Sequence, residues 1–340
     1  MTDFRAIVTA AREPLSEDQM IEAMNAIMSG QAADDDIATF LTTLAERGES
    51  VDEITGAARV MRQKALSITA PEDAIDCCGT GGDASGTYNI STAVALLTAA
   101  CGIPVAKHGN RAASSKSGTA DVLEALGVRL EVPAPALEEA LRRFHFAFLM
   151  APRHHEAMKY VAPIRKKLGK RTIFNLLGPL ANPAGTRLQL VGVFDKRWTR
   201  PMAETLHRLG TKRAWVVHGA DGLDEITVTG LTYASILYDD GHIEDQTLSP
   251  EDFGLPVSPP EALKGGTPED NASALRALLE EQKGAYRDIV LANTAAALCI
   301  HDPAQTLKEA VRVAASTLDS GKALETLQTY AAFSQEYTAL

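Results

Sequence analysis

Ala74-Ile75-Asp76-Cys77-Cys78 runs directly into Gly79-Thr80-Gly81-Gly82-Asp83, and Asn89-Ile90-Ser91-Thr92 then opens an alanine-rich stretch that stops at Cys101-Gly102. The order predicts a strand over Ala74 to Cys78, a glycine loop, and a helix over Ser91 to Cys101. Pro104 to Lys107 reads as the next strand and Ser117 to Leu126 as the next helix, stopped by Gly127. Further strands are expected at Phe146 to Met150, Gln189 to Phe194, Ala214 to His218 and Ile226 to Thr229, with helices at 134–144, 199–209, 270–281 and 286–300. Short strands alternating with helices are what a largely parallel sheet requires, because each parallel crossover needs a helix's length of chain. The fold class is α/β, with a central, mostly parallel sheet flanked by helices. Gly241 to Thr267 holds four prolines and little periodicity, which predicts an excursion over the surface.

Upstream the rhythm is helical from 16 to 66. Ser16 with Gln19 is a capping box, Met20, Ile21, Met24, Ile27 and Met28 recur at helical spacing, and Gly30 is a stop. Ile37, Phe40, Leu41 and Leu44 form a second stripe ending at Gly48; Ser50 with Glu53 caps a third carrying Ile54, Ala58, Met61 and Ala65. At 340 residues the chain exceeds one ordinary core, so the expected division is a small helical domain, 1–70, and a large α/β domain, 71–340. A unit this small buries little alone, so its methionine stripe is expected to meet a second subunit or the large domain, the subunit interface being the favoured reading.

The formal charge is −11, from 33 Lys and Arg against 44 Asp and Glu, which repels nucleic acid and leaves an anionic substrate to be held by local devices. Cys77, Cys78, Cys101 and Cys299 have no C-x-x-C spacing and read as buried thiols in a reducing compartment. The start of the chain has no apolar leader pattern, and no run approaches the roughly 20 apolar residues of a membrane span. The expectation is a soluble, cytoplasmic protein.

A strand emptying into Gly79-Thr80-Gly81-Gly82-Asp83 and then a helix is the arrangement that aims backbone amides at an anion, a plain turn being the alternative reading of the glycines. Gly79, Gly81 and Ala84 satisfy G-x-G-x-x-A, but a dinucleotide site needs an acid at the end of the second strand, where Lys107 stands. Gly81 and Gly86 have P-loop spacing, yet Thr87-Tyr88 follows in place of Lys-Ser/Thr. Asn89, Ser91 and Thr92 offer side-chain oxygens at the helix start, to cap it or to hold phosphate or metal. The second strand leads into Lys107 to Gly118, a loop gathering Lys107, Arg111 and Lys116 with His108 and three serines at the ligand-binding end of the sheet. Asp224-Glu225 offers hard oxygens suited to magnesium, or is an ordinary acidic turn, and the pair alone does not decide. His154-His155-Glu156 is not a zinc motif, since Lys159 stands where the second histidine belongs. Arg165 is a candidate for gripping a carboxylate, or simply an exposed base.

Together these segments, with Ala120 to Gly127, Arg171 to Pro183, Gln189 to Phe194, Asp221 to Glu225, Gly265-Gly266 before Asn271-Ala272, and Arg287-Asp288, resemble the anthranilate phosphoribosyltransferases of tryptophan biosynthesis over nearly the whole chain. The resemblance implies transfer of phosphoribosyl from phosphoribosyl pyrophosphate (PRPP) to the amine of anthranilate with magnesium, two ions per subunit, in a homodimer joined through the helical domain, against which a segment near 165–182 packs. It implies PRPP binding by Gly79, Gly82, Asp83, Thr87, Asn89, Ile90, Ser91, Thr92, Lys107, His108, Gly109, Asn110, Arg111, Ala112, Ala113, Ser114, Ser115 and Thr119. Anthranilate would meet Gly79, Asn110, Arg165 and His108, and magnesium Ser91, Asp224 and Glu225. No covalent nucleophile is implied. Gly230-Leu231-Thr232, Ile236 and Thr119 depart from the family pattern but leave the named ligands intact. The rival readings are a pyrimidine nucleoside phosphorylase, which the Lys107 to Gly118 string and Asp224-Glu225 fit less well, and a non-enzymatic nucleic-acid-binding relative, which the charge disfavours.

Overall fold

In the computed structural model, the described residues are 4–83, 85–112 and 116–337. Four helices come first: α1 (Phe4–Ala10), α2 (Glu17–Met28), α3 (Asp34–Arg47) and α4 (Val51–Lys64). Both expected capping boxes form, Ser16 with Gln19 and Ser50 with Glu53. The Glu53 carboxylate is fully buried and also takes the Leu15 amide at 2.9 Å and the Arg47 guanidinium at 2.5 Å, so one cap ties α4 to the end of α3 and to the segment that leads into α2.

The large unit then runs β1 (Ile75–Gly79), α5 (Ile90–Ala100), β2 (Val105–Gly109), α6 (Thr119–Ala125), α7 (Ala134–Phe144), β3 (Phe146–Met150), α8 (Ala151–His154), α9 (Ala162–Leu168), α10 (Phe174–Leu177) and β4 (Leu188–Gly192). It continues through α11 (Thr199–Arg208), β5 (Arg213–Gly219), β6 (Thr232–Leu237), β7 (Ile243–Leu248), α12 (Pro268–Leu279), α13 (Ala285–His301), α14 (Leu307–Leu318) and α15 (Lys322–Ser334). The sheet order is β3-β2-β1-β4-β5-β6-β7, parallel from β3 to β5 and antiparallel beyond. The chain builds outward from β1 to β3 and then returns to the other side of β1 with β4. The switch point of the sheet therefore lies between β1 and β4, where a doubly wound sheet opens a crevice at the strands' carboxyl ends.

Both faces of the sheet are covered, as a parallel sheet requires. One core joins Ile75, Cys77, Leu190 and Val217 to α5, α13, α14 and α15. The other joins Val191, Ala214 and Val216 to α11, to Val161, Ile164, Phe174 and Leu177, and to the first four helices. Met20, Met24 and Met28 are at most 3% exposed within this single chain. The interface reading of the methionine stripe is thereby corrected: the stripe is core, and the segment 161–181 of the large unit helps cover it.

Two other expectations are corrected. Ile226 to Thr229 alternates like a strand but is a loop, because side chains rather than a ladder take its backbone groups: Asn293 bonds both the Ile226 amide (2.9 Å) and carbonyl (2.8 Å), and Thr232 takes the Thr227 amide (3.0 Å). The excursion 241–267 begins as a strand, β7, an edge whose acidic outward residues hid its alternation. No helix among the described residues is long and apolar enough to cross a membrane.

Candidate active site at the switch point of the sheet

Gly79 ends β1 and pairs with Gly192, which ends β4. Into the space left by these two missing side chains drops the 221–225 loop: a Cβ on Gly79 would stand 2.3 Å from Asp224 Oδ2, and one on Gly192 only 1.6 Å from the Asp224 carbonyl oxygen. Asp224 Oδ2 then accepts the Gly81 amide at 2.7 Å, holding the glycine loop against the acidic pair. Gly81 and Gly82 both have positive φ, the conformation for which glycine was expected there. Thr80 completes the seam, its amide on the Gly192 carbonyl and its hydroxyl accepting the Phe194 amide.

Asp224 and Glu225 sit half-buried in a region of converging negative charge. Burial, then the neighbouring Asp83 carboxylate, pushes the Asp224 carboxyl up to about 7, against the Gly81 hydrogen bond. Burial and Asp224 push Glu225 well above the usual carboxylate range, with Lys107 opposing. Two carboxylates disfavoured as anions, facing a cleft beside a serine hydroxyl, form a hard-oxygen set that suits magnesium. Among the described residues no three His, Cys, Asp or Glu side chains are grouped to hold an ion alone, so an ion here would need substrate oxygens and water besides these residues.

Lys107 is 1% exposed and lies under this floor. Its ammonium donates to the Cys77 carbonyl (2.6 Å) and to Ser91 Oγ (3.2 Å), orienting the hydroxyl at the start of α5. Buried Asp76 balances the lysine and accepts from the His108 amide (3.3 Å) and Asn182 Nδ2 (2.7 Å), fixing where β2 hands over to its loop. From α6, Asp121 Oδ2 accepts the Ala112 and Gly118 amides of that loop, each at 2.9 Å.

The cleft above these residues has a volume of about 760 Å³ and is lined by Gly79, Gly82, Asp83, Thr87, Asn89, Ile90, Ser91, Lys107, His108, Gly109, Asn110, Arg111, Ala112, Thr119, Arg165, Asp224 and Glu225. Ala113, Ser114 and Ser115 lie outside the described residues. Thr92 does not reach the cleft: it is fully buried and donates to the Thr119 hydroxyl at 3.2 Å, so it supports a lining residue from beneath. The Arg111 guanidinium is paired with Glu124 (2.8 Å) and Asp121 (3.0 Å), which directs its charge to α6.

Sequence reasoning missed the apolar end of the cleft. Met61, Pro152, Met158, Phe174, Leu177 and Pro179 line it, and the Arg165 guanidinium stands 5.4 Å from the Phe174 ring centre. Among the described residues no carboxylate pairs with Arg165. An apolar wall with a guanidinium at its edge that no carboxylate occupies among the described residues fits a small aromatic carboxylate. Asn271 was also missed as a support: its amide bonds Asn89 Oδ1 (2.8 Å) while its oxygen takes the Gly266 amide (2.8 Å), bracing the polar run before α5. The signal available was charge. Between residues 151 and 171 stand Arg153, Lys159, Arg165, Lys166, Lys167, Lys170 and Arg171 with a single acid, Glu156, in a chain of net charge −11.

His108 and His155 meet edge to face with centroids 5.2 Å apart, and among the described residues the Nε2 of each is buried without a partner. Burial, with His155 beside it, lowers His108 to about 3; burial, with His154 beside it, lowers His155 to about 4. Because these folded-state values lie below the unfolded one, the unfolded chain binds the extra protons: stability is complete above about 6.5 and falls as pH drops toward 4. Between pH 7.5 and 5 the wild type is expected to lose about 2 kcal/mol more unfolding free energy than His155→Gln. Equal losses in urea titrations would mean that His155 is protonated within the fold.

Residues 71–324 match the family described as glycosyl transferase family, a/b domain, and residues 8–65 match its helical bundle domain. The chain belongs to this glycosyl transferase family. Within the family it is 57% identical over 320 residues to the anthranilate phosphoribosyltransferase of Rhodospirillum rubrum, covering 94% of this chain and 92% of that one. The crystal structure of anthranilate phosphoribosyltransferase from Thermus thermophilus superposes with a TM-score of 0.91 at 45% identity, covering 97% of this chain and 99% of that one. The Saccharomyces cerevisiae enzyme, solved in complex with PRPP and Mg, gives 0.89 at 27% identity over 98% and 97% of the two chains. The two solved structures share the fold of this chain over nearly its whole length.

Proposed function

We propose that this chain transfers the 5-phosphoribosyl group of PRPP to the amine of anthranilate, giving N-(5-phosphoribosyl)anthranilate and pyrophosphate in tryptophan biosynthesis. The observation that carries the reading is the union, in one cleft, of a glycine loop on an acidic pair with an apolar slot edged by Arg165. That union favours a phosphorylated sugar meeting an aromatic carboxylate over a phosphorylase's nucleoside.

In this reaction the C1–O bond to pyrophosphate breaks, the amine nitrogen forms the new bond to C1, and the nitrogen then loses a proton. The Gly82 and Asp83 amides, Asn89 and the Lys107 loop hold the phosphorylated donor; Ser91, Asp224 and Glu225 hold magnesium, which we take as two ions per subunit. Bound magnesium supplies charge neutralisation for the departing diphosphate. Arg165 grips the anthranilate carboxylate while Asn110 and His108 face its amine. The rest is positioning, since an aromatic amine is already neutral at pH 7 and attacks without a covalent intermediate.

The assembly we propose is a homodimer joined through the helical unit, on the strength of the family resemblance. The four free cysteines favour a reducing, cytoplasmic setting. The test is loss of anthranilate fluorescence with PRPP and magnesium. Arg165→Ala is expected to raise the KM for anthranilate roughly tenfold to a hundredfold while the KM for PRPP stays within about twofold. An unchanged anthranilate dependence would remove Arg165 from the acceptor site.

A further inference from the structure

Asp224 and Thr80 hold the glycine loop on its inner side. Gly81 and Gly82 both have positive φ and little side-chain mass, and among the described residues neither the Gly82 nor the Asp83 amide has an acceptor. Two free amides at a cleft bind an anion well only if they are aimed beforehand, because ordering a glycine-rich loop on binding costs conformational entropy. In a planar trans peptide the carbonyl and the following N–H point in opposite directions, so fixing the Gly82 carbonyl fixes the Asp83 N–H.

Arg171 holds that carbonyl. Its guanidinium donates to Gly82 O and stands 4.3 Å from the ring centre of Phe194, the residue whose amide bonds Thr80 on the loop's other side. The neighbouring Lys170 reaches the other way, to Glu46 on α3 at 3.3 Å. Two consecutive cations thus tie the segment after α9 to the helical unit and to the glycine loop.

We propose that Arg171 is a positioning residue: seated on Phe194, it grips the Gly82 carbonyl and so aims the Asp83 amide at the diphosphate of the sugar donor. This rests on the reading of the cleft as a PRPP site. The role is that of a brace and needs no contact between Arg171 and substrate.

The experiment combines kinetics with amide hydrogen exchange on the full-length protein. Arg171→Met is expected to raise the KM for PRPP roughly tenfold to a hundredfold with kcat within about threefold and the KM for anthranilate unchanged. Exchange in the 79–88 peptide should quicken in the free protein, and inorganic pyrophosphate with magnesium should restore less protection than in the wild type. Phe194→Leu should move the same quantities in the same direction, and the double variant should be no worse than Arg171→Met alone. A raised KM with unchanged exchange would mean direct ionic contact and would overturn the proposal. So would additive effects of the two substitutions, or a change confined to anthranilate. Should the wild type fail to consume anthranilate, the transferase reading falls, and exchange with pyrophosphate and magnesium still decides the role of Arg171.

Discussion

Asp224→Asn combined with Glu225→Gln is expected to lower turnover by about a hundredfold or more and to raise the magnesium needed for half-maximal rate, while raising the melting temperature of the magnesium-free protein. The two effects have one cause. Both carboxylates are half-buried, Asp83 pushes Asp224 and Asp224 pushes Glu225 toward the neutral form, and Lys107 is already engaged with Ser91 and the Cys77 carbonyl. Without a cation the pair is a cost to the fold. Side-chain amides of the same shape remove the charge, and the carbonyl oxygen kept at position 224 can still accept the Gly81 amide. With magnesium the balance reverses: the wild type gains a ligand-dependent rise in melting temperature that the double variant lacks. Magnesium titrations of rate, and thermal denaturation with and without magnesium and pyrophosphate, measure both halves. Wild-type magnesium dependence in the double variant would refute the metal assignment, and a fall in its magnesium-free melting temperature would refute the account of the half-buried charges.

What the sequence disclosed of this site and what it hid divide along a physical line. The glycine loop, the Lys107 loop and the acidic pair are each contiguous, so their chemistry is carried by neighbours in the chain and can be read directly. The sheet's parallel strands were legible for the same reason, each bounded by its own glycine or proline. Hidden were the features made by distant residues. The Met61, Met158 and Phe174 wall consists of ordinary apolar residues whose shared cleft exists only once the 161–181 segment packs on the helical bundle. Arg171 and Phe194 meet only across the switch point. Asn293 turned a strand-like Ile226 to Thr229 into a loop from 67 residues away. Gly192 is the sharpest case, because β4 reads as a plain apolar strand and nothing local says why its last residue lacks a side chain.

Gly192→Ala is accordingly expected to be far more damaging than its chemistry suggests. The added Cβ would stand 1.6 Å from the Asp224 carbonyl oxygen and 2.4 Å from its carbon, both backbone atoms that cannot swing aside. Nor can the loop retreat cheaply. Its near end is held by the Gly219 amide on the Leu223 carbonyl (2.8 Å), its far end by Asn293 on Ile226, and Leu223 and Ile226 are 4% and 1% exposed. Relief must come from parting β4 from the loop or lifting Asp224 off the Gly81 amide, and overpacking against fixed backbone costs roughly 3 kcal/mol or more. Turnover should fall with it even in molecules that remain folded, since the displaced pair no longer faces Ser91. Gly230→Ala, where a Cβ meets nothing within 4 Å, is the matched control and should be nearly neutral. Urea titration gives the stability difference, and the melting-temperature response to magnesium with pyrophosphate, measured on the folded fraction, reports whether the metal site survives. A Gly192→Ala protein with wild-type stability and an undiminished magnesium response would show that the acidic loop does not rest on the end of β4, and the account of the switch point would have to be rebuilt.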